Sequence, residues 1–430
     1  EFESMADPIT GLLSKRSFVA AGDRWIPRAA KDGVPLAVAY LEIQGYDDLV
    51  TLLSMGEIRA LLVEIADRLR ELFGAGGLVA RFDSERFAVM APQAELDPAR
   101  IRAAFRRPVL AGVYPVPVRL GIGLADTTGE LHDTDMLNLG ARLALRYAAE
   151  QGQLTGFFTP DLHTRARRLR RIEDELPLAV ERGEMSVVFQ PKVCIRTGEI
   201  SGVEALLRWR HPDLGAVSPG EFIPAAERTG RIGAVGRWVL DQVIADLARW
   251  AGEGIRIPVS VNVSPLQVMG AGATLIDPAA LAEQVRAAGL TPDLIELEVT
   301  EGILADTVAV DRLNAFADRG FRIAVDDFGK DYSGLRLLAG LRASTLKIDR
   351  AFVGAMSVDR RQQAVVDTII DLARRLDMDT VVEGVERADQ LVAFARAGCS
   401  YAQGYFYFKP LTADALTTAI RSRAGGAAAA

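Results

Sequence analysis

The residues of this chain best suited to chemistry are acids and amides, and they recur at one kind of place. The second half carries short β-rich runs predicted at Ser186–Gln190, Gly202–Leu207, Val259–Val263, Leu294–Val299, Arg322–Val325, Thr345–Ile348, Thr380–Val382 and Ala402–Phe406. At their C-terminal ends stand Gln190, Glu204, Asn262, Glu298 with Glu301, Asp326 with Asp327, Lys347 with Asp349, Glu383 with Glu386, and Gln403. So many carboxylates brought to one level repel one another unless cations lie between them. Oxygen ligands with one amide among them suit Mg²⁺ or Mn²⁺ rather than zinc or copper.

The adjacent pair Asp326 and Asp327 narrows the chemistry further. One carboxylate can bridge two ions while its neighbour serves the second, an arrangement suited to two-metal cleavage of a phosphodiester. Lys347 reads either as a positioned cation beside an attacking water or as a charge-balancing partner of the acids. Asp349 and Glu386 taken singly read equally well as rim salt-bridge partners. His211, in RWRHP, reads as a hydrogen-bonded structural residue, and three histidines in all do not make a His-rich zinc site. Cys194 and Cys399 read as small buried hydrophobes. Tyr401, Tyr405, Phe406, Tyr407 and Phe408 read mainly as core packing, with one ring free to stack on a base.

The elements that must position these residues follow from rhythm. Eight strand–helix units over about 240 residues have the size of a (β/α)8 barrel, whose functional face lies at the C-terminal ends of its strands. A doubly wound open sheet is the alternative, but no Gly-rich phosphate fingerprint follows any of the strands. Ahead of it, from about Asp7 to Gln153, helical and strand periods alternate. Ile58–Phe73 predicts a helix, and Pro35–Ile43, Leu78–Met90 and Val116–Leu124 predict strands, giving a smaller α/β domain. Between the two lies a helical connector, about Pro160 to Arg182, that Pro177 is expected to break or kink. Its Arg165, Arg167, Arg168, Arg170 and Arg171 read as a solvated face. The expected divisions are residues 6–158, 159–183 and 184–424.

Composition excludes several classes. The 430 residues are 49% hydrophobic and 25% charged, which rules out disorder and coiled coil. Fifty Lys and Arg against 57 Asp and Glu give a net charge of −7, against a general nucleic-acid binder. No apolar run approaches the ~20 residues that span a bilayer. Two cysteines fit a reducing cytoplasm. Glu1-Phe2-Glu3-Ser4-Met5 reads as a cloning remnant and Ala427–Ala430 as a vector-derived or disordered tail, with a sensor or membrane anchor expected ahead of the natural segment.

The ordered strings of the second half resemble the EAL domain family of cyclic di-GMP phosphodiesterases. They are FQPKV (189–193), EALLRWRHP (204–212), FIPAAERTG (222–230), VNVSPLQ (261–267), ELEVTE (296–301), DDFG (326–329), LKIDRAFV (346–353), VEGVE (382–386) and QGYFYFKP (403–410). The resemblance implies a TIM-like barrel with one antiparallel strand and hydrolysis of cyclic di-GMP to linear pGpG. It implies Mg²⁺ or Mn²⁺ held by Glu204, Asn262, Glu298, Asp326, Asp327 and Glu383. Lys347 is implied to orient or activate a water, so Glu204, Lys347, Glu383 and Asp327 form the implied catalytic set. Gln190, Arg208 and Gln403 are implied substrate contacts, and Glu301 the implied anchor of the loop after Asp327. That loop reads Lys330-Asp331-Tyr332-Ser333-Gly334 where the family has Thr-Gly-Tyr-Ser-Ser. Since the family couples this loop to dimerisation, a homodimer is implied, and the change bears on regulation and rate.

The first half resembles a degraded GGDEF, or diguanylate cyclase, domain. Asp7-Pro8-Ile9-Thr10-Gly11-Leu12 matches the family's entry motif, but Asp83-Ser84-Glu85-Arg86-Phe87 stands where the family has Gly-Gly-Asp/Glu-Glu-Phe. Two glycines that let the backbone approach a triphosphate are thus replaced by residues with side chains. Glu42 stands at the family's metal aspartate, and Val50 and Arg59 at its guanine-reading Asn and Asp. The inhibitory Arg-x-x-Asp positions fall on Gly74 and Gly77. The expectation is a non-catalytic, regulatory domain, with weak GTP binding an open alternative. Two other readings stand beside the phosphodiesterase: a receptor that holds cyclic di-GMP without cutting it, and a scaffold acting through the arginine-rich connector.

Overall fold

A computed structural model describes residues 5–74, 76–329, 338–355 and 360–427. The chain divides into two compact units, Glu1–Arg170 and Arg171–Ala430. The division falls within one helix, Pro160–Ala179.

The first unit is built on a six-stranded sheet in the order Leu13–Ser14, Leu78–Arg81, Arg86–Pro92, Leu36–Ile43, Leu120–Asp126, Thr155–Phe157. Its central strand, LAVAYLEI, is apolar almost throughout because both of its faces are covered. Ala37, Ala39, Leu41 and Ile43 enter a core with the helix Met55–Phe73. Leu36, Val38 and Tyr40 enter a second core with the helices Lys15–Lys31 and Thr134–Glu150. The latter helix lies so close that a Cβ at Gly123 would stand 1.8 Å from the Ala141 carbonyl oxygen. The predicted run Leu78–Met90 is two strands of a hairpin, because Phe82–Glu85 turns the chain.

The second unit closes eight strands into a barrel: Met185–Cys194, Ile200–His211, Val259–Asn262, Ile295–Thr300, Arg322–Phe328, Thr345–Ile348, Asp379–Val382 and Tyr401–Ala402. The first strand runs antiparallel to both of its neighbours, Ile200–His211 and Tyr401–Ala402, and closes the ring. The other neighbours pair in parallel. Chain length dictates the exception. Only five residues link the first two strands, with Gly198 at φ 74° in the turn, whereas a parallel partner needs a crossover of about a dozen residues. Helices such as Ile232–Gly252 and Arg360–Arg375 cover the outside and bury Val243, Leu247, Trp250, Val366 and Ile370 in one core.

Several local expectations are corrected. The Glu204 strand runs on to His211, because its far half pairs with Gly215–Val217. The last strand is only Tyr401–Ala402, since Gly404 passes against the backbone of Val385, where a Cβ would stand 2.1 Å from its oxygen. Pro177 does not break its helix, which runs through to Ala179; it sits in the last turn, where few backbone bonds remain to lose. Cys194 is half-buried rather than buried. None of the five terminal aromatics is buried, and Tyr405 is 60% exposed.

Candidate active site

Inside the barrel, strand pleating sorts the polar residues into two levels. Side chains two apart share a face, so Glu296 and Glu298, Ser260 and Asn262, Thr345 and Lys347, and Gln190 and Lys192 each fall one above the other. Register aligns them across strands: Glu204 pairs with Ser260, Ser260 with Glu296, and Asn262 with Glu298.

The upper level centres on Lys347, which is fully buried. Its Nζ lies 2.6 Å from Glu298 Oε2, 2.6 Å from Glu383 Oε1, 3.2 Å from Asp326 Oδ2 and 3.6 Å from Glu204 Oε2. Amides close the ring. Asn262 Nδ2 donates to Glu204 Oε1 at 2.7 Å, and Gln403 Nε2 donates to Glu204 Oε2 at 2.6 Å and Gln190 Oε1 at 3.3 Å. Gln190 donates in turn to the Phe408 carbonyl. Gln403 Oε1 is buried without a hydrogen-bond partner.

The lower level went unread in the sequence. Lys192 Nζ lies 2.6 Å from Glu298 Oε1, 3.0 Å from Glu296 Oε2 and 2.5 Å from Ser260 Oγ. Ser260 and Thr345 also donate to Glu296. The signal was present: Lys192 follows Gln190 by two residues and Glu296 precedes Glu298 by two, so each pair shares an inward face.

Electrostatics follow from this packing. Burial opposes the charge on Lys347, but Glu204, Glu298, Glu383 and Asp326 overcome it and hold the ammonium well above lysine's ordinary range. Burial opposes the charge on Lys192 too, and Glu298 and Glu296 again prevail. Glu296, although buried, is pulled down to about 2 by Lys192, Ser260 and Thr345. Glu204 is lowered against its burial by Lys347 and Lys192. Glu383 goes the other way, to about 8, because burial and the charges of Asp326 and Glu204 outweigh Lys347. Five acids (Glu204, Glu296, Glu298, Asp326, Glu383) thus share two ammonium groups.

Asp326 and Asp327 are neighbours near the end of the strand Arg322–Phe328, and both are half-buried. The strand is irregular here: its register shifts between Val325 and Phe328, and Asp327 takes a left-handed backbone with φ 57°. A bulge of this kind re-aims a side chain next to a functional site. The Asp327 N–H donates to Asp326 Oδ1 at 2.8 Å. Glu301, buried at the start of the turn after its strand, accepts from the Gly329 N–H at 2.9 Å. The loop change at Asp331 lies outside the described residues. Arg208 is half-buried on the Glu204 strand and donates to the Leu207 carbonyl.

Asp349 is buried and accepts from the Ala351 N–H at the start of a short helix, and Glu386 is exposed. His211 is buried: its Nδ1 accepts from the Asp213 and Leu214 N–H groups, which leaves Nε2–H to donate to Glu175. In the connector helix, Arg171 pairs with Glu175 and Asp213, and Arg165 with Asp161. That face is ion-paired as well as solvated.

The donor chemistry around Lys347 fits a hard divalent cation: buried and half-buried carboxylates in excess of positive charge, with the Asn262 amide hydrogen-bonded to Glu204 among them. In this conformation they close on the ammonium. Among the described residues, no three His, Cys, Asp or Glu side chains are spaced to hold a metal ion.

The first unit carries its own charged cluster at the hairpin. Arg86 lies 2.9 Å from Glu42, 3.1 Å from Asp83 and 3.3 Å from Glu85, and the hydrogen bonds to Glu42 and Asp83 outweigh its partial burial and hold the guanidinium above arginine's ordinary range. Asp7 accepts from the Thr10 N–H and hydroxyl and pairs with Arg81, fixing the turn of the DPITGL segment. Among the described residues, no helix is long and apolar enough to cross a membrane.

Residues 173–410 match the EAL domain family, and residues 4–153 match the family described as diguanylate cyclase, GGDEF domain. The bifunctional diguanylate cyclase/cyclic di-GMP phosphodiesterase MucR of Pseudomonas aeruginosa is 31% identical over 97% of this chain and 62% of its own length. The cyclic di-GMP phosphodiesterase NbdA of the same organism is 30% identical over 97% of this chain and 54% of its own. The chain thus spans between half and two thirds of these relatives. A solved structure, "PaMucR Phosphodiesterase, c-di-GMP complex", is 38% identical and superposes with a TM-score of 0.53, over 57% of this chain and 99% of its own.

Proposed function

Because the chain belongs to the EAL domain family, with a GGDEF domain ahead of its barrel, we propose that the barrel hydrolyses one phosphodiester bond of cyclic di-GMP to give linear pGpG. The observation that carries this reading is the ring of Glu204 and Glu298, buried, and Asp326 and Glu383, half-buried, within 3.6 Å of the Lys347 ammonium. Phosphodiester cleavage needs positive charge beside the phosphoryl oxygens, and a net-acidic ring offered from several strands would hold the divalent cations that supply it.

Glu204, Asn262, Glu298, Asp326, Asp327 and Glu383 would hold Mg²⁺ or Mn²⁺. Such ions, when bound, supply Lewis-acid stabilisation of the charge that develops on the phosphoryl oxygens. The protein's own groups do the rest. Lys347 holds a fixed positive charge beside the attacking water. Gln403 and Gln190 order Glu204 from one side and Asn262 orders it from the other. Gln190, Gln403 and Arg208 would meet the substrate at the rim, and Glu301 would hold the segment after Asp327 through Gly329. A cytoplasmic site of action and pairing of two copies through the barrel go with this reading.

The first unit is proposed to be regulatory and not a cyclase. Arg86 stands where the GGDEF pattern has an acid, and its guanidinium lies against Glu42, the carboxylate expected to hold the nucleotide's metal. An arginine tethered there supplies the charge that an ion would bring. Incubated with GTP and Mg²⁺, the chain yields no cyclic di-GMP; formation of that product contradicts this part of the reading.

The direct test of the barrel is Glu204→Ala. Hydrolysis of cyclic di-GMP is expected to vanish while circular dichroism stays that of the parent. Undiminished turnover in this variant contradicts the assignment.

A further inference from the structure

Beneath the ring around Lys347 lies a second cation that the catalytic scheme does not use. Lys192 is buried, and each of its three N–H donors has a partner: Ser260 Oγ at 2.5 Å, Glu296 Oε2 at 3.0 Å and Glu298 Oε1 at 2.6 Å. Glu298 is shared in turn. One oxygen goes down to Lys192, and the other goes up to Lys347 at 2.6 Å. Its carboxylate is therefore held between two ammonium groups, and only the upper one borders the proposed site.

The lower cation is itself fixed from below. Glu296 accepts from Ser260 at 2.5 Å and Thr345 at 2.6 Å, and Arg322 approaches it at 3.8 Å. A cavity of about 40 Å³ opens beside this layer, lined by Lys192, Ser260, Glu296, Arg322, Thr345 and Tyr401. Lys192, Ser260, Glu296 and Thr345 lie on the strands that carry Gln190, Asn262, Glu298 and Lys347, two positions away. A displacement of Lys192 is thus transmitted to Glu298 by a single hydrogen bond.

We infer that Lys192 is a positioning residue: it acts through Glu298, setting the rotamer and height of that carboxylate for metal and, through it, for Lys347. The inference rests on the phosphodiesterase reading for its kinetic consequence, but not for its binding consequence. Groups that orient a metal ligand from behind typically cost about 10- to 100-fold in affinity or activity when removed. Lys192 lies below the ring and not at its rim, so substrate recognition should be untouched.

The experiment uses the full chain and three variants. Lys192→Met removes the charge at similar length. Lys192→Met with Glu296→Gln also removes the acid stranded below, so the layer is neutral and keeps acceptors for Ser260 and Thr345. Lys192→Arg keeps the charge and has the adjacent cavity for its larger head. Melting temperature, Mn²⁺ binding by electron paramagnetic resonance, and kcat and KM for cyclic di-GMP are measured on each.

Lys192→Met is expected to lower Mn²⁺ affinity and kcat by about 10- to 100-fold with KM within about twofold. The double variant should recover the melting temperature lost by Lys192→Met while affinity and kcat stay low, and Lys192→Arg should recover part of both. Wild-type kcat and Mn²⁺ affinity in the double variant would reduce Lys192 to a structural residue and overturn the inference. If the parent chain cleaves no cyclic di-GMP, the phosphodiesterase reading fails alone, and the Mn²⁺ titration still decides the role of Lys192.

Discussion

Lys347 in the barrel and Arg86 on the hairpin of the first unit each sit among several carboxylates. Four acids lie within 3.6 Å of Lys347, and three lie within 3.3 Å of Arg86. What separates them is water. The Lys347 side chain is 1% exposed and its acids range from 0% at Glu298 to 22% at Glu383, whereas Arg86 is 40% exposed and its acids range from 24% at Glu85 to 45% at Asp83. An excess of negative charge costs little where solvent and salt screen it. Buried, the same excess must be met by a cation or a proton. Excess acid in a chain is therefore informative about metal only where the fold removes it from water.

The sharpest way to break the comparison is to remove each cation. Lys347→Met strands buried acids, and breaking such a pair typically costs about 3–5 kcal/mol. Chemical denaturation of the full chain should show a loss of that order in the barrel. Turnover should fall by at least the ~10²–10³-fold expected when a fixed charge beside the reacting group is lost. A variant as stable and active as the parent would mean that Lys347 only balances charge that nothing else uses. Arg86→Ala should cost less than about 1 kcal/mol, as exposed ion pairs do, and should leave cyclic di-GMP hydrolysis as it was. A loss of several kcal/mol would show that the hairpin cluster is not screened as its exposure implies.

The two thiols give a milder version of the same contrast. Burial pushes Cys399 up to about 11, so it stays protonated at pH 8. Cys194 is half-buried, and bonds from Thr197 and the Arg196 backbone lower its pKa against that burial. Mass spectrometry after brief alkylation of the native chain at pH 8 should find Cys194 modified and Cys399 intact. Equal labelling would contradict the burial of Cys399.

Much of the fold was legible because it is periodic. The eight runs of the barrel were each found close to their true starts, since apolar strand residues covered by helices stand out against polar loops. Ends were less visible. Nothing in EALLRWRH announces that the Glu204 strand continues to His211, because its continuation depends on pairing with Gly215–Val217. The run Ala402–Phe406 looked like a strand because it is aromatic, yet the contact of Gly404 with Val385 ends it after two residues.

The site was legible at its upper level, where acids and amides mark strand ends. Its lower level was not, because a lysine and a glutamate within apolar strands read as ordinary solvent-facing positions. Only barrel closure, which turns Lys192, Ser260, Glu296 and Thr345 inward together, distinguishes them. The alternation was there to be read: in ELEVTE the acids two apart had to share a face. The bulge at Asp326 and Asp327 had no comparable signal, since adjacent acids in a strand ordinarily point apart.

The most direct test is to mix the purified chain with cyclic di-GMP and Mg²⁺ or Mn²⁺, with and without EDTA, and to separate the nucleotides by chromatography. Conversion to pGpG that EDTA stops is the predicted result. Cyclic di-GMP recovered intact at saturating metal would contradict the account, and retained affinity for it in a binding titration would make the barrel a receptor.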